Sequence, residues 1–350
     1  MAFFVQLDGN QIRQQMDCEQ AFAALRAAQV ERDQRYRGSM AWKKVNGRDY
    51  LYRKSGGAWR SLGGRSEATE QAFESFHSGR EANRARIKGL DATIRKMAPV
   101  NRALGLGRVP WVAARLLRRL ERKKLLGEAI SVVGTHALYA YERMAGGHLH
   151  SSQVATQDID LLFDARDRLG VLPAATRQAG LQGILTSIDA SFQTISPGAY
   201  RAVNHDGFMV DLIGPRPRNP AQPVDPMRIG TGIGDLTAAE IEGLAWLQNA
   251  PQVAQAVIDE RGYPLHLRVP DPRAFALHKL WVSERPDRDR MKARRDLAQA
   301  KAVAGLIERF LPQLRFDGPD LTALPEALRA RGPELLRVAH RFATEEGVDW

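Results

Sequence analysis

Apolar side chains change their spacing several times along the 350-residue chain, and each change predicts a different element. Residues 11–37 carry Ala21, Phe22, Leu25 and Ala28 at helical spacing and predict a helix. "MAWKKVNGRDYLYRK" then predicts a β-hairpin, since Asn46-Gly47 is a two-residue turn signal between Val45 and the run Tyr50, Leu51, Tyr52. "SLGGRS" closes that unit. From Glu67 to about Lys96 the pattern is a long polar helix, and "NRALGLGRVP" breaks it. In "WVAARLLRRLERKKLLG", Leu116, Leu117 and Leu120 line one side of a helix, with Arg115, Arg118, Arg119, Arg122 and Lys123 on the rest.

The middle third changes character. "AISVVGTHALYAYERMAGG" reads as a short strand, a Gly-Thr turn and a helix ending at Gly146-Gly147. "TQDIDLLFD" (156–164) is the next strand, followed by a helix around 166–179 and strands at 181–187 and 191–196. "YRAVNHDGFMVDLIGP" predicts a hairpin turning at Asp206-Gly207, with Asp211 in its second strand. A Pro-rich connector runs from Pro215 to about Thr231, and beyond Leu236 the pattern is helical nearly throughout. The expected class is α+β, a small mixed sheet with flanking helices. Three regions are expected: a helical, hairpin-containing part at 1–128, a core at 129–216 and a helical part at 217–350.

Composition narrows the function. The apolar fraction of 44% and aromatic fraction of 7% are those of a folded protein. No apolar run reaches the ~18 residues of a membrane span, and the start, "MAFFVQLDGNQIRQQ", has no basic leader, so the cytoplasm is the expected location. The single cysteine, Cys18, excludes an internal disulfide and reads as a small packing residue in a reducing compartment. The net charge of +11 is unevenly spread: residues 1–130 hold 26 Lys and Arg against 13 Asp and Glu, and the remainder holds 25 against 27. This imbalance suggests a polyanionic partner for the N-terminal third, or else a set of solvated arginine-rich helices.

Chemistry concentrates in the middle. If "TQDIDLLFD" is a strand, Asp158 and Asp160 share one face about 7 Å apart. Two like charges among apolar neighbours repel and lose hydration, so something cationic is expected to offset them. Asp211, in "FMVDLI", is a charge equally out of place. Three such aspartates make an oxygen cage for Mg²⁺ (or Mn²⁺), and two ions held this way serve in-line phosphoryl or nucleotidyl displacement. Gly134-Thr135, at the start of a helix, supplies close backbone approach, a hydroxyl and free N–H groups for a phosphate.

These residues, in this order, resemble the DNA polymerase β-like nucleotidyltransferase superfamily, with "VVGTHALYAYE", "QDIDLLFD" and "FMVDLIGP" as the matching segments. The chain also resembles bacterial nucleotidyltransferase-fold proteins of uncharacterised function that share "YLYRKSGGAWRSLGGRS", "LGRVP", "GTHALYAYE" and "VPDPRAFALHKLWVSER", over about residues 40–300. The resemblance implies that Asp158, Asp160 and Asp211 bind metal and that Gly134 and Thr135 hold nucleotide phosphates. Threonine replaces the family's usual serine or glycine, keeping the hydroxyl in a tighter turn. A further likeness, to the abortive-infection toxin branch, implies that Lys279 in "LHKLW" contacts phosphate and that Arg295-Asp296 completes the site. His136 follows the turn and reads as a helix-start histidine or a nucleotide contact. His148 and His150 read as solvated, and Asp164 and Asp206 as a strand-end charge and a turn residue. The expected function is metal-dependent transfer of an NMP from an NTP to a hydroxyl acceptor, with pyrophosphate released. RNA, including tRNA, is the acceptor that suits the basic third. The alternatives are a protein acceptor, or a catalytically silent module that binds nucleic acid or protein.

Overall fold

The N-terminal elements follow directly from local signals. In the computed structural model, which describes residues 4–164, 174–217, 227–232 and 234–345, a short strand β1 (Phe4–Gln6) precedes helix α1 (Gly9–Arg35). Strands β2 (Ser39–Val45), β3 (Arg48–Ser55) and β4 (Ala58–Gly64) form an antiparallel sheet in that order. The first turn falls on Asn46-Gly47 as expected, both residues having positive φ. Helix α2 (Glu67–Ala103) begins with a capping box, Ser66 and Thr69 each accepting the other's backbone N–H. It continues past Lys96 and through Pro99, so the break starts only at Leu104.

Arg13–Leu106 with Arg261–Pro264 form one compact unit, and the rest of the described chain forms a second. In the first, α1 and α2 run antiparallel: Gln14 Nε2 donates to Asn101 Oδ1 (2.8 Å), and Asn83 Nδ2 donates to the Ala28 carbonyl (3.0 Å). Cys18 is buried beside Asn101, and burial pushes its thiol up. One face of the sheet packs on α2 through Met40, Leu51 and Phe76.

The second unit continues with α3 (Trp111–Arg122), β5 (Ile130–Val133), a 3₁₀ turn at Gly134–Ala137, α4 (Leu138–Ala145), β6 (Gly147–Leu149), α5 (Ser151–Val154) and β7 (Asp158–Phe163). After it come α6 (Ala174–Thr186), β8 (Gln193–Thr194), β9 (Arg201–Val203), β10 (Met209–Pro215) and β11 (Ala239–Ile241). Then follow α7 (Leu244–Asn249), β12 (Gln252–Ile258), β13 (Pro264–Pro270), α8 (Pro272–Ser283), α9 (Arg290–Phe310), α10 (Glu326–Arg329) and α11 (Gly332–Glu345). The central sheet is small and mixed, in the order β5-β7-β10-β9-β8, with β11 also on β10. β7 and β10 are parallel, while β5–β7 and β9–β10 are antiparallel. This is the expected α+β class.

Two local expectations are corrected. Residues 181–187 are not a strand: Leu181, Ile184 and Leu185 are buried at the i, i+3, i+4 spacing of α6, which the fold favours over the short apolar run. The expected helix at 166–179 has residues 166–173 outside the described residues, as does 218–226 of the expected connector. Beyond Leu236 the chain is not helical nearly throughout, because β12 and β13 form a two-stranded sheet. In β13, Leu265, Leu267 and Val269 are fully buried and alternate with His266 and Arg268, a strand period.

The arginines of α3, set opposite its leucines, do not form an open row. Arg118 pairs with the buried Asp259 at 2.7 Å, Arg115 donates to the Ile188 carbonyl, and Arg119 is half-buried. Only Arg122 of the four is exposed. Long arginine stems on an amphipathic helix serve as packing and as donors to neighbouring elements.

Segments quoted above for their resemblance are bonded to one another. Arg108 of "LGRVP" binds Glu142 of "GTHALYAYE" through Nη2–Oε1 (2.7 Å) and Nε–Oε2 (3.1 Å), and the Leu149 amide donates to the same carboxylate. Tyr141 Oη donates to the Pro270 carbonyl at 2.8 Å, and Asp271 caps α8 while binding Arg273. Glu142 is 3% exposed, so removing its partner strands a buried charge. Arg108→Ala is expected to destabilise the protein by about 3–5 kcal/mol in denaturant unfolding, whereas Arg108→Met with Glu142→Leu recovers most of the loss. A loss below about 1 kcal/mol for the single variant would count against a structural role for the pair.

Candidate active site

The site grows from the register of three strands. Val133, the last residue of β5, lies opposite Asp160 of β7, and Asp160 lies opposite Asp211 of β10. Residues aligned in neighbouring strands share a sheet face, and so do residues two apart in one strand. Asp158, Asp160 and Asp211 therefore project from one face, while Ile159, Leu161, Val210 and Leu212 fill the core on the other.

Gly134 follows β5 with φ of +64°. A Cβ there would stand 2.0 Å from Asp160 Oδ2, so both the left-handed conformation and the closeness of the carboxylate require glycine. Thr135 is buried, and its hydroxyl accepts from Gln299 Nε2 (3.2 Å) and Arg295 Nη2 (3.3 Å) of α9. The Gly-Thr turn is thus tied to the C-terminal helices, and its hydroxyl is already engaged.

The carboxylates differ in their surroundings. Asp211 is buried and bound at both oxygens by Arg201 of β9, at 2.7 and 2.6 Å. Asp158 accepts from the Thr156 hydroxyl. Burial first, and then the charge of Asp158, pushes the Asp160 carboxyl up to about 7, with Lys279 and Arg201 pulling it down and Asp211 adding to the rise. Among the described residues no group of three or more His, Cys, Asp or Glu side chains is arranged to hold a metal ion. At this face Arg201 occupies both oxygens of Asp211. Asp158 and Asp160, half-buried and of like charge, have the hard-oxygen donor chemistry that suits a divalent cation.

The residues of the C-terminal helices also converge. Lys279 of α8 donates to Asp296 of α9 at 2.6 Å, and Arg288 holds the other oxygen of Asp296 at 2.6 Å. Lys279 also lies close enough to Asp160 to stabilise its charge. Of the residues named from sequence, Asp158, Asp160, Asp211, Gly134, Thr135, Lys279, Arg295 and Asp296 all belong to this neighbourhood. His136 is buried and set edge-on to Tyr139 and Phe208. Burial lowers it to about 4 against the opposing pull of Asp158, which keeps it neutral. His148 lies in β6, and His150 caps α5. Arg201, Arg288 and Gln299 were not anticipated. Arg201 had one available signal, its place in a strand hairpinned to the one bearing Asp211.

A family model described as nucleotidyltransferase matches residues 112–324, more than half of the chain. The chain belongs to this nucleotidyltransferase family. Comparison with curated proteins and with solved structures gives no match. The matched span takes in the central sheet, α8 and α9. The protein is therefore a transferase of nucleotidyl groups, with a nucleoside triphosphate as substrate. No described helix is long and apolar enough to cross a membrane.

The raised Asp160 has a consequence for the nucleotidyltransferase in chelating buffer. Its folded form keeps a proton to higher pH than the unfolded chain, so stability should fall as pH rises from about 4 to about 7. Asp160→Asn, which removes that titration, should flatten the fall and melt several degrees above wild type at neutral pH. Thermal melts across that window check it, and an unaltered slope in the variant would assign the raised acid elsewhere.

Proposed function

We propose that this nucleotidyltransferase moves an NMP from an NTP to a hydroxyl of RNA, using the face that bears Asp158, Asp160 and Asp211. The carrying observation is the alignment of Asp211 with Asp160 in parallel strands, with Gly134 against the Asp160 carboxylate. Asp158 and Asp160 would hold a divalent cation, Mg²⁺ or Mn²⁺, and Asp211 would join them once Arg201 turns away. A cation bound there neutralises charge on the triphosphate and favours ionisation of the acceptor hydroxyl. Gly134 lets the triphosphate approach the backbone, and Thr135 orients it. Lys279 shifts from Asp296 toward the phosphates, with Arg288 left to satisfy Asp296. Asp211 would align the acceptor hydroxyl and take its proton, the hydroxyl oxygen would bond to the α-phosphorus, and the bond from phosphorus to the α–β bridging oxygen would break, so that pyrophosphate leaves.

RNA as acceptor is supported by the basic excess of the N-terminal third, of which the unit at Arg13–Leu106 is the larger part. The decisive assay incubates the protein with each α-labelled NTP, Mg²⁺ or Mn²⁺, and total cellular RNA or protein. Label is expected in RNA, and each of Asp158→Asn, Asp160→Asn and Asp211→Asn should lower incorporation about 100-fold or more, as loss of one electrostatic catalytic group does. Label in protein with RNA unlabelled would make a protein hydroxyl the acceptor. Full activity in the three variants would remove this face from the chemistry.

Lys279→Met separates nucleotide contact from structure. Losing a charge-assisted hydrogen bond to phosphate should raise the NTP KM roughly 10–100-fold at saturating acceptor while the melting curve stays cooperative. An unchanged KM would leave Lys279 as the partner of Asp296 alone.

A further inference from the structure

The smaller unit carries a sheet face whose side chains the catalytic reading does not use. Strands β2–β4 hold six cationic residues (Lys43, Lys44, Arg48, Arg53, Lys54 and Arg60) and a single carboxylate, Asp49. Register divides them. Met40, Trp42, Leu51 and Arg53 face α2, where Met40 and Leu51 pack with Phe76 and Trp42 meets Phe73. Asp49, paired with Lys44, is on that side too. The opposite face presents Lys43, Arg48, Tyr50, Tyr52, Lys54 and Trp59, with no carboxylate among its strand residues. Arg48, Lys54 and Trp59 are exposed, and the other three are half-buried.

Rings and cations on this face interleave. The Lys43 ammonium lies 3.8 Å from the Trp59 ring centre and 5.2 Å from that of Tyr52, and Lys54 lies 5.9 Å from Trp59. Exposed contacts of this kind are weak, so an ammonium can leave a ring for a phosphate at small cost. A ligand that complements the face must offer flat rings at strand spacing and a negative charge beside each. A duplex hides its base faces in the stack, and an acidic peptide or lipid headgroup has charge without rings.

We propose that the open face of β2–β4 binds single-stranded RNA, with bases stacked on Trp59, Tyr52 and Tyr50 and phosphates on Lys43, Lys54 and Arg48. The choice of RNA rests on its reading as the acceptor; the stacking geometry stands on this face alone.

Full-length protein titrated into a labelled oligouridylate of about 15 nucleotides, without NTP, tests it by fluorescence anisotropy. Binding should weaken with salt with a log–log slope near −2, as expected for three cations on a single strand. Trp59→Ala should raise Kd about tenfold or more, Trp59→Phe should restore most of the affinity, and Lys43→Ala with Lys54→Ala should flatten the slope by about one. Asp160→Asn should bind as wild type, which separates this surface from the catalytic face. A Trp59→Ala Kd equal to wild type, or equal affinity for duplex RNA or heparin, would overturn the stacking proposal. Tighter binding of oligothymidylate than of oligouridylate would overturn the choice of RNA. If label in the transfer assay goes to protein while oligouridylate binding still depends on Trp59, the acceptor reading fails and this surface stands.

Discussion

Parallel pairing of β7 with β10 sets Asp160 beside Asp211 on a sheet whose buried side chains are mostly apolar, and much of the larger unit answers that concentration of negative charge. Adjacent carboxylates in a poorly hydrated setting cannot all ionise without a compensating cation. The structure divides the burden. Arg201 takes Asp211 bidentately from the neighbouring strand. Asp160, which has no such direct partner among the described residues, responds by holding its proton to about pH 7. Such unequal surroundings, one acid clamped and one raised, are frequent where a protein reserves charge for a ligand.

The same constraint reaches the C-terminal helices. Gly134 must leave room for the Asp160 carboxylate, and the turn it starts is held by Arg295 and Gln299. One turn of α9 thus supports the Gly-Thr segment, while Asp296 on the same helix joins Lys279 to Arg288. A lysine held by one of two oxygens of a shared aspartate can be released without leaving that aspartate unpaired. Lys279 and Arg288 thus share Asp296, and the net stability that such a buried pair adds is small.

How much of this was legible follows the range of each signal. The β2–β3 hairpin, β7, β10 and the Gly-Thr turn were readable because their signals are local: Asn46-Gly47, alternating aspartates in an apolar run, a glycine before a helix. α6 was misread for the converse reason, since a short apolar run suits either period until a partner surface selects one, whereas β13 carried a legible strand alternation that the neighbouring helices overshadowed. The α3 arginines looked like a solvent-facing row because helical spacing shows which residues share a face but not what covers it. Asp259 and the Ile188 carbonyl, both distant in sequence, cover part of this one. Arg201 was missed likewise, its role existing only once β9 lies against β10.

The segments that resemble other nucleotidyltransferase-fold proteins fall into two physical kinds. "QDIDLLFD" and "FMVDLIGP" carry aspartates that lie together on one face, with Asp211 clamped by Arg201 from a neighbouring strand. "LGRVP", "YAYE" and "VPDPRAF" carry charges and hydroxyls that bond to one another: Arg108 to Glu142, Tyr141 to the backbone before α8, and Arg273 to both Asp271 and Asp320. A hydrophobic replacement of equal volume would keep the fold about as stable as such buried pairs do, so stability alone does not explain their use. They do impose geometry. Each polar atom accepts only a narrow set of partner positions, so the strand leading into α8, the turn before α3 and the helix after Gly134 are fixed in mutual register. Lys279 is on α8 and Gly134 begins the turn into α4, so a slip in either would move a group now brought to Asp160. The bonded motifs therefore fix the position of the aspartate-bearing face, and the aspartates set its electrostatic field.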